Sequence, residues 1–165
     1  MKIMVFTEGT LFIDADDVSL SREERIRAVQ QVLAAQEPID FRSSVPAGKA
    51  VQKLHAWHRQ GAEIVYLTSR TTPKEVDDIR YLLDRFGFPD GGLFFRREGE
   101  AYRDVAERVL PDILVEDDCE SIGGEIAMTY PHIRPEFRAR IKSVVVPEAG
   151  GIDYLPDDLA ALEVL

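Results

Sequence analysis

An α/β fold, with a mostly parallel sheet held between layers of helix, is what this sequence predicts, and three observations predict it. Short apolar runs rich in β-branched and aromatic residues alternate along the chain with segments of helical periodicity. Alternation of that kind implies right-handed crossovers and strands that all point the same way. The apolar runs also stop abruptly at hydroxyls, carboxylates or arginines, as strands do when they leave a covered sheet at its ligand-binding edge.

The first run, Ile3 to Phe6, is unbroken, as expected of a strand covered on both faces, and Thr7, Glu8, Gly9 and Thr10 follow it. An acidic stretch leads to a helix over about Arg22 to Ala35, with Ser21 and Glu24 at capping-box spacing and Ile26, Val29 and Leu33 on one face. Two readings stand for it: a cover over the polar edge, or a helix packed on the domain's side. Pro38 and Pro46 punctuate a connection, and Ala47 to Gln60 is the next helix, stopped by Gly61. His55 and His58 have no carboxylate at a familiar metal spacing and are taken as surface or boundary residues.

Glu63 to Leu67 is the second strand, ending in Thr68, Ser69 and Arg70. A hydroxyl pair followed by a cation suits the oxygens of a phosphate or a carboxylate. Thr72, Pro73 and Glu75 start a helix that buries Val76, Ile79, Leu82, Leu83 and Phe86 and ends at Gly87. Leu93 to Phe95 is a short third strand, and Glu100 to Leu110 is a helix carrying Arg103 in its first turn. Ile113 to Val115 is the fourth strand, followed by Glu116, Asp117 and Asp118. Three adjacent carboxylates repel one another unless a cation or hydrogen-bond donors compensate. A short helix near Pro135 to Ile141, a fifth strand at Ser143 to Val146 and a tail helix from about Pro156 complete the chain. His132, set among prolines, is expected to shape a loop.

The 165 residues suit a single domain over 1–165, large enough for a core without staples, with residues 12–45 as a small cap or accessory helix segment. Cys119 is the sole cysteine, which excludes an intrachain disulfide or a thiolate cluster, and its acidic neighbours disfavour the thiolate. The net charge of −10 repels polyanions, so nucleic acid and anionic membrane surfaces are not expected partners. No run approaches a membrane span and the N-terminus lacks a signal-peptide pattern, so a cytoplasmic location is expected. An anionic ligand would need help from a metal ion or from arginines.

With parallel strands, Glu8, Thr68, Ser69 and the acids at 116–118 share one sheet edge, with Arg103 beside them. Carboxylates suit Mg²⁺, and hydroxyls with an arginine suit phosphate. Arranged in this order, the Phe6-Thr7-Glu8-Gly9-Thr10 opening, Thr68, Arg103 (or Arg97) and Val115-Glu116-Asp117-Asp118 resemble the four motifs of the haloacid dehalogenase-like superfamily. The resemblance implies a three-layer Rossmann-like domain of about five strands with at most a minimal cap. It implies a phosphate site at Thr68, Ser69 and Arg103, a Mg²⁺ site at Asp117, Asp118 and Glu116, and catalytic roles for Glu8 and Asp117. Phe6 stands where that family has its nucleophilic aspartate, and a phenyl ring can neither attack phosphorus nor bind metal. The expectation is therefore a protein that binds a metal and a small phosphorylated molecule without aspartyl-phosphate turnover. A Mg²⁺-dependent phosphoester hydrolase using Glu8 as base, or a non-catalytic scaffold, are the alternatives. Ligand identity and oligomeric state are beyond what the residues specify.

Overall fold

The computed structural model describes residues 1–36 and 39–165, so of the two prolines expected to punctuate the connection after the first helix, Pro38 lies outside the described residues. Five strands form one parallel sheet: β1 (Lys2–Phe6), β4 (Glu63–Leu67), β5 (Leu93–Phe94), β6 (Ile113–Asp117) and β7 (Lys142–Val146). Their spatial order is β5-β4-β1-β6-β7, and every neighbouring pair is parallel. The chain starts in the middle, works outward to one side, then returns to fill the other. The order therefore reverses between β1 and β6, and at such a switch point the crossovers leave a crevice outside the strand ends.

Alternation along the strands divides the core in two. Ile3, Val5, Ile64, Tyr66, Ile113 and Val115 face α2 (Ala50–Arg59), α3 (Pro73–Phe86) and α6 (Leu159–Glu163), while Met4, Val65, Leu67 and Leu114 face α4 (Tyr102–Val109) and the region of α5 (Pro135–Arg138). Trp57 is fully buried in the first layer and gives its indole N–H to the Pro156 carbonyl. α3 begins as its sequence dictates, with the Thr72 side chain capping Glu75 N–H, Pro73 in the first turn and Gly87 at φ +67° closing the helix.

The strand β6 runs two residues beyond the expected Val115, because Glu116 and Asp117 pair with Val145 and Val146 of β7. A short antiparallel ribbon of β2 (Phe12–Asp14) and β3 (Ser44–Pro46), three residues each, was not foreseen from the sequence. It frames α1 (Arg22–Ala35), whose Ser21–Glu24 capping box is formed. Of the fourteen residues of α1 only Ile26 is buried, so this helix belongs to neither core layer.

Candidate functional site

At the switch point the chain after β1 turns sharply. Gly9 has φ +76°, its carbonyl accepts from Ala149 N–H at 2.7 Å, and Thr10 is fully buried. The Thr10 hydroxyl donates to Asp117 Oδ2 at 2.9 Å and the Cys119 amide donates to Asp117 Oδ1 at 3.0 Å. Asp117 is 7% exposed, and burial, with Glu148 and Asp118 adding repulsion, pushes its pKa up to about 6 against the two hydrogen bonds. Asp118 accepts from Glu148 N–H at 3.1 Å and pairs with Arg22 at 3.2 Å. Glu148, also 7% exposed, takes the Ser121 amide and hydroxyl at 2.7 and 2.6 Å. Asp117, Asp118 and Glu148 each offer an oxygen, and these oxygens lie within 4.8 Å of one another. Hard divalent cations hold oxygens at about 2.0–2.6 Å, so ligands on opposite sides of one ion stand about 4–5 Å apart. The cluster could therefore coordinate a metal ion.

Glu148 escaped the sequence reading. It follows β7 by two residues, behind Pro147, at the same edge as the other acids, and the strand-end rule applied to the fifth strand would have found it. Glu116 goes elsewhere. Successive strand residues face opposite sides, and its carboxylate accepts the amides of Thr129 at 2.7 Å and Tyr130 at 2.9 Å, closing a loop over α4's side of the sheet. Burial raises its pKa while those amides oppose the rise.

The second expected group converges on Glu8. Its carboxylate accepts from the hydroxyls of Thr7 at 2.6 Å and Thr68 at 2.5 Å and from Ser69 N–H at 3.1 Å, with Arg70 Nε at 3.3 Å. The Thr68 hydroxyl, the Ser69 amide and the Arg70 cation are thus engaged by an internal carboxylate, while the Ser69 hydroxyl accepts from Arg70. Arg103 does not join them: its nearest acid is Asp104 at 3.8 Å, and it lines a small separate hollow with Ile126 and His132. Arg97 is exposed, its amide held by Glu100 at 2.8 Å. His55, His58 and His132 each meet a backbone carbonyl, of Gly87, Ala62 and Ile126 respectively. The Cys119 thiol is pushed up by burial and by Asp117 and Glu116, away from thiolate chemistry.

Both groups open on one cleft of about 470 Å³ beneath α1. Glu8, Asp117 and Glu148 line it, as does Phe6, whose ring meets Tyr102 edge to face at 5.3 Å. Among the described residues, seven acids and two arginines, Arg25 and Arg70, reach the lining. The arginines at α1's N-terminal end were also missed from the sequence. Arg22 bridges to the Glu148 carbonyl at 3.0 Å, to Asp118 and to Glu120, and Arg25 donates to the carbonyls of Asp17, Val18 and Ala149.

No family model matches the chain, and no curated protein matches it. A solved structure that it resembles is the crystal structure of a universal stress protein in complex with cAMP, at 17% identity, covering 90% of this chain and 95% of that one, with a TM-score of 0.38. The haloacid dehalogenase-like expectation is corrected here. That structure is of a different family, no family model supports the resemblance, and the four motif-like stretches are too short to separate one Rossmann-like family from another. The hydrolase and phosphatase expectations rested on that family and are corrected with it, and Phe6 lines the cleft. A Rossmann-like α/β domain with a mostly parallel five-stranded sheet remains. A likeness at this TM-score carries no argument about ligands. Among the described residues, no helix is long and apolar enough to cross a membrane.

Proposed function

We propose that this protein binds a divalent cation, Mg²⁺ by the hardness of its ligands, at Asp117, Asp118 and Glu148, and through that ion a small phosphate-bearing molecule in the cleft under α1. The convergence of three carboxylates on one spot at the switch point carries this reading. All-oxygen ligation selects Mg²⁺, Ca²⁺ or Mn²⁺ over softer metals. Thr10, the Cys119 amide and Ser121 orient the ligand carboxylates, as outer-shell donors do at metal sites.

The charge of the lining supports a bridging role for the metal. A free phosphate facing seven acids and two arginines is repelled, and the Thr68–Ser69–Arg70 cradle already holds Glu8. A cation neutralises part of that field and leaves open positions for phosphate oxygens. Glu8 and Asp117, expected as catalytic from the sequence, serve here as a brace between β1 and β4 and as a metal ligand. Calorimetry with MgCl₂ tests the proposal. Saturable heat that vanishes in Asp117→Asn, and inorganic phosphate binding only in the presence of Mg²⁺, are expected. Absence of heat and of any melting shift at millimolar Mg²⁺, Ca²⁺ and Mn²⁺ would overturn it.

A further inference from the structure

We infer that the ligand of the cleft is an amphiphile, whose apolar body lies under α1 against Phe6, Phe12, Phe41, Val29, Val32 and Leu33 while its polar head faces the carboxylates. This rests on the reading above for the head group alone. The apolar half stands on separate observations.

The cleft is segregated. Its acids gather at the strand ends and on residues 14–17, whereas α1, beyond Arg25 in its first turns, contributes only the apolar side chains of Ala28, Val29, Val32 and Leu33. A volume of about 470 Å³ falls within the range of roughly 300–1,000 Å³ that suits small molecules. An apolar helix face of this kind ordinarily settles onto the sheet and removes its surface from water. Here it does not: Val32 is 37% and Leu33 47% exposed. The reason is mechanical. Arg22 and Arg25 tie the first turns of α1 to the carbonyls of Asp17, Val18, Glu148 and Ala149, which fixes the helix's standoff from the strand ends. The gap is held open by polar contacts at one end, while the walls supplied by Phe6, Phe12, Phe41 and the rest of α1 are hydrocarbon. Phe6 and Phe12 mark where the apolar part begins, because they flank the Thr7–Leu11 turn that carries Glu8 and Gly9.

The test uses the full chain and an uncharged fluorescent probe, N-phenyl-1-naphthylamine, displaced by two series of competitors: 1-alkanols and alkyl phosphates, each from ethyl to octyl. Saturable probe binding is expected even in EDTA, with competition strengthening about threefold per methylene in both series. Leu33→Asp is expected to weaken the probe about tenfold by placing a charge against hydrocarbon, with the Mg²⁺ heat retained. Val32→Asp, tested in parallel, is expected to do the same. Alkyl phosphates surpassing alkanols of equal length only when Mg²⁺ is present would support both proposals. Chain-length dependence without that Mg²⁺ effect would sustain the amphiphile inference and overturn the metal–phosphate reading. No saturable probe binding, or competition independent of chain length, would overturn the inference even if Mg²⁺ binds.

Discussion

Gly9 and Asp117 are in such close approach that a Cβ on Gly9 would stand 2.8 Å from Asp117 Oδ2. The loop after β1 is therefore shaped by the carboxylate at the end of β6. A side chain at 9 and Asp117 in its present place exclude one another, and φ +76° adds backbone strain for any residue but glycine. Gly9→Ala is expected to lower stability by about 1–2 kcal/mol and to weaken Mg²⁺ binding. Denaturant titration and calorimetry on the same preparation measure the two effects.

Asp117 is a source of instability in the metal-free protein. Its folded pKa of about 6 lies above the ordinary aspartate value. A raised pKa means that ionisation opposes folding at pH above about 6, and that this penalty is relieved as pH falls through 6 towards 4. The two-unit rise corresponds to about 2–3 kcal/mol at neutral pH. In EDTA, Asp117→Asn should therefore be more stable than the parent at pH 7.5, with the difference shrinking on acidification, and its melting temperature should not respond to Mg²⁺. Melting curves across pH, with and without metal, read this directly.

Glu8 is held by three hydrogen-bond donors and the Arg70 cation, so replacing it with the isosteric amide turns one accepting atom into a donor facing donors. Glu8→Gln is expected to cost about 1–3 kcal/mol. Thr68→Val, which removes one of those donors, should cost a similar amount. The double variant should cost less than the sum, since both act on one network. Equilibrium unfolding of the three proteins supplies the cycle.

Asp78 joins the segment after α1 to α3. Its side chain is 2% exposed and accepts from Arg42 Nε at 2.5 Å and Lys74 Nζ at 2.8 Å. Those two bonds, that from Lys74 foremost, hold its pKa below the usual carboxylate range. A depressed pKa gives stability that is present above the unfolded-state value and lost as pH falls through the folded one. Asp78→Asn is accordingly expected to lose about 1–3 kcal/mol at pH 7, with the loss narrowing below about pH 4. Stability measured down the acid limb tests the sign.

Much of the scaffold was legible in the residues because burial leaves a one-dimensional trace. β1, β4 and β6 are covered on both faces and read as unbroken apolar runs at Ile3 to Phe6, Ile64 to Leu67 and Ile113 to Val115, and α3 announces itself through Thr72, Pro73 and Gly87. The ribbon of β2 and β3 left no such trace, since three residues are too few for a period. The strand-end rule brought Glu8, Thr68, Ser69, Asp117 and Asp118 to one edge, and strand alternation, applied strictly, would have separated Glu116 from Asp117. Arg103 went astray for a helical reason: position in the first turn of α4 says nothing about which side of the helix the guanidinium takes.

By itself the sequence determined the alternating order of strands and helices, and with it the parallel sheet and the polar edge, because those follow from local periodicity and the handedness of the chain. Only the tertiary structure decided that Glu8 would fill the Thr68–Ser69 cradle, that Glu148 would complete the cluster with Asp117 and Asp118, and that Arg22 and Arg25 would hold α1 away from the strand ends. Each of those meetings joins residues thirty or more positions apart in the chain. Their meeting depends on how whole elements pack, which no local pattern encodes.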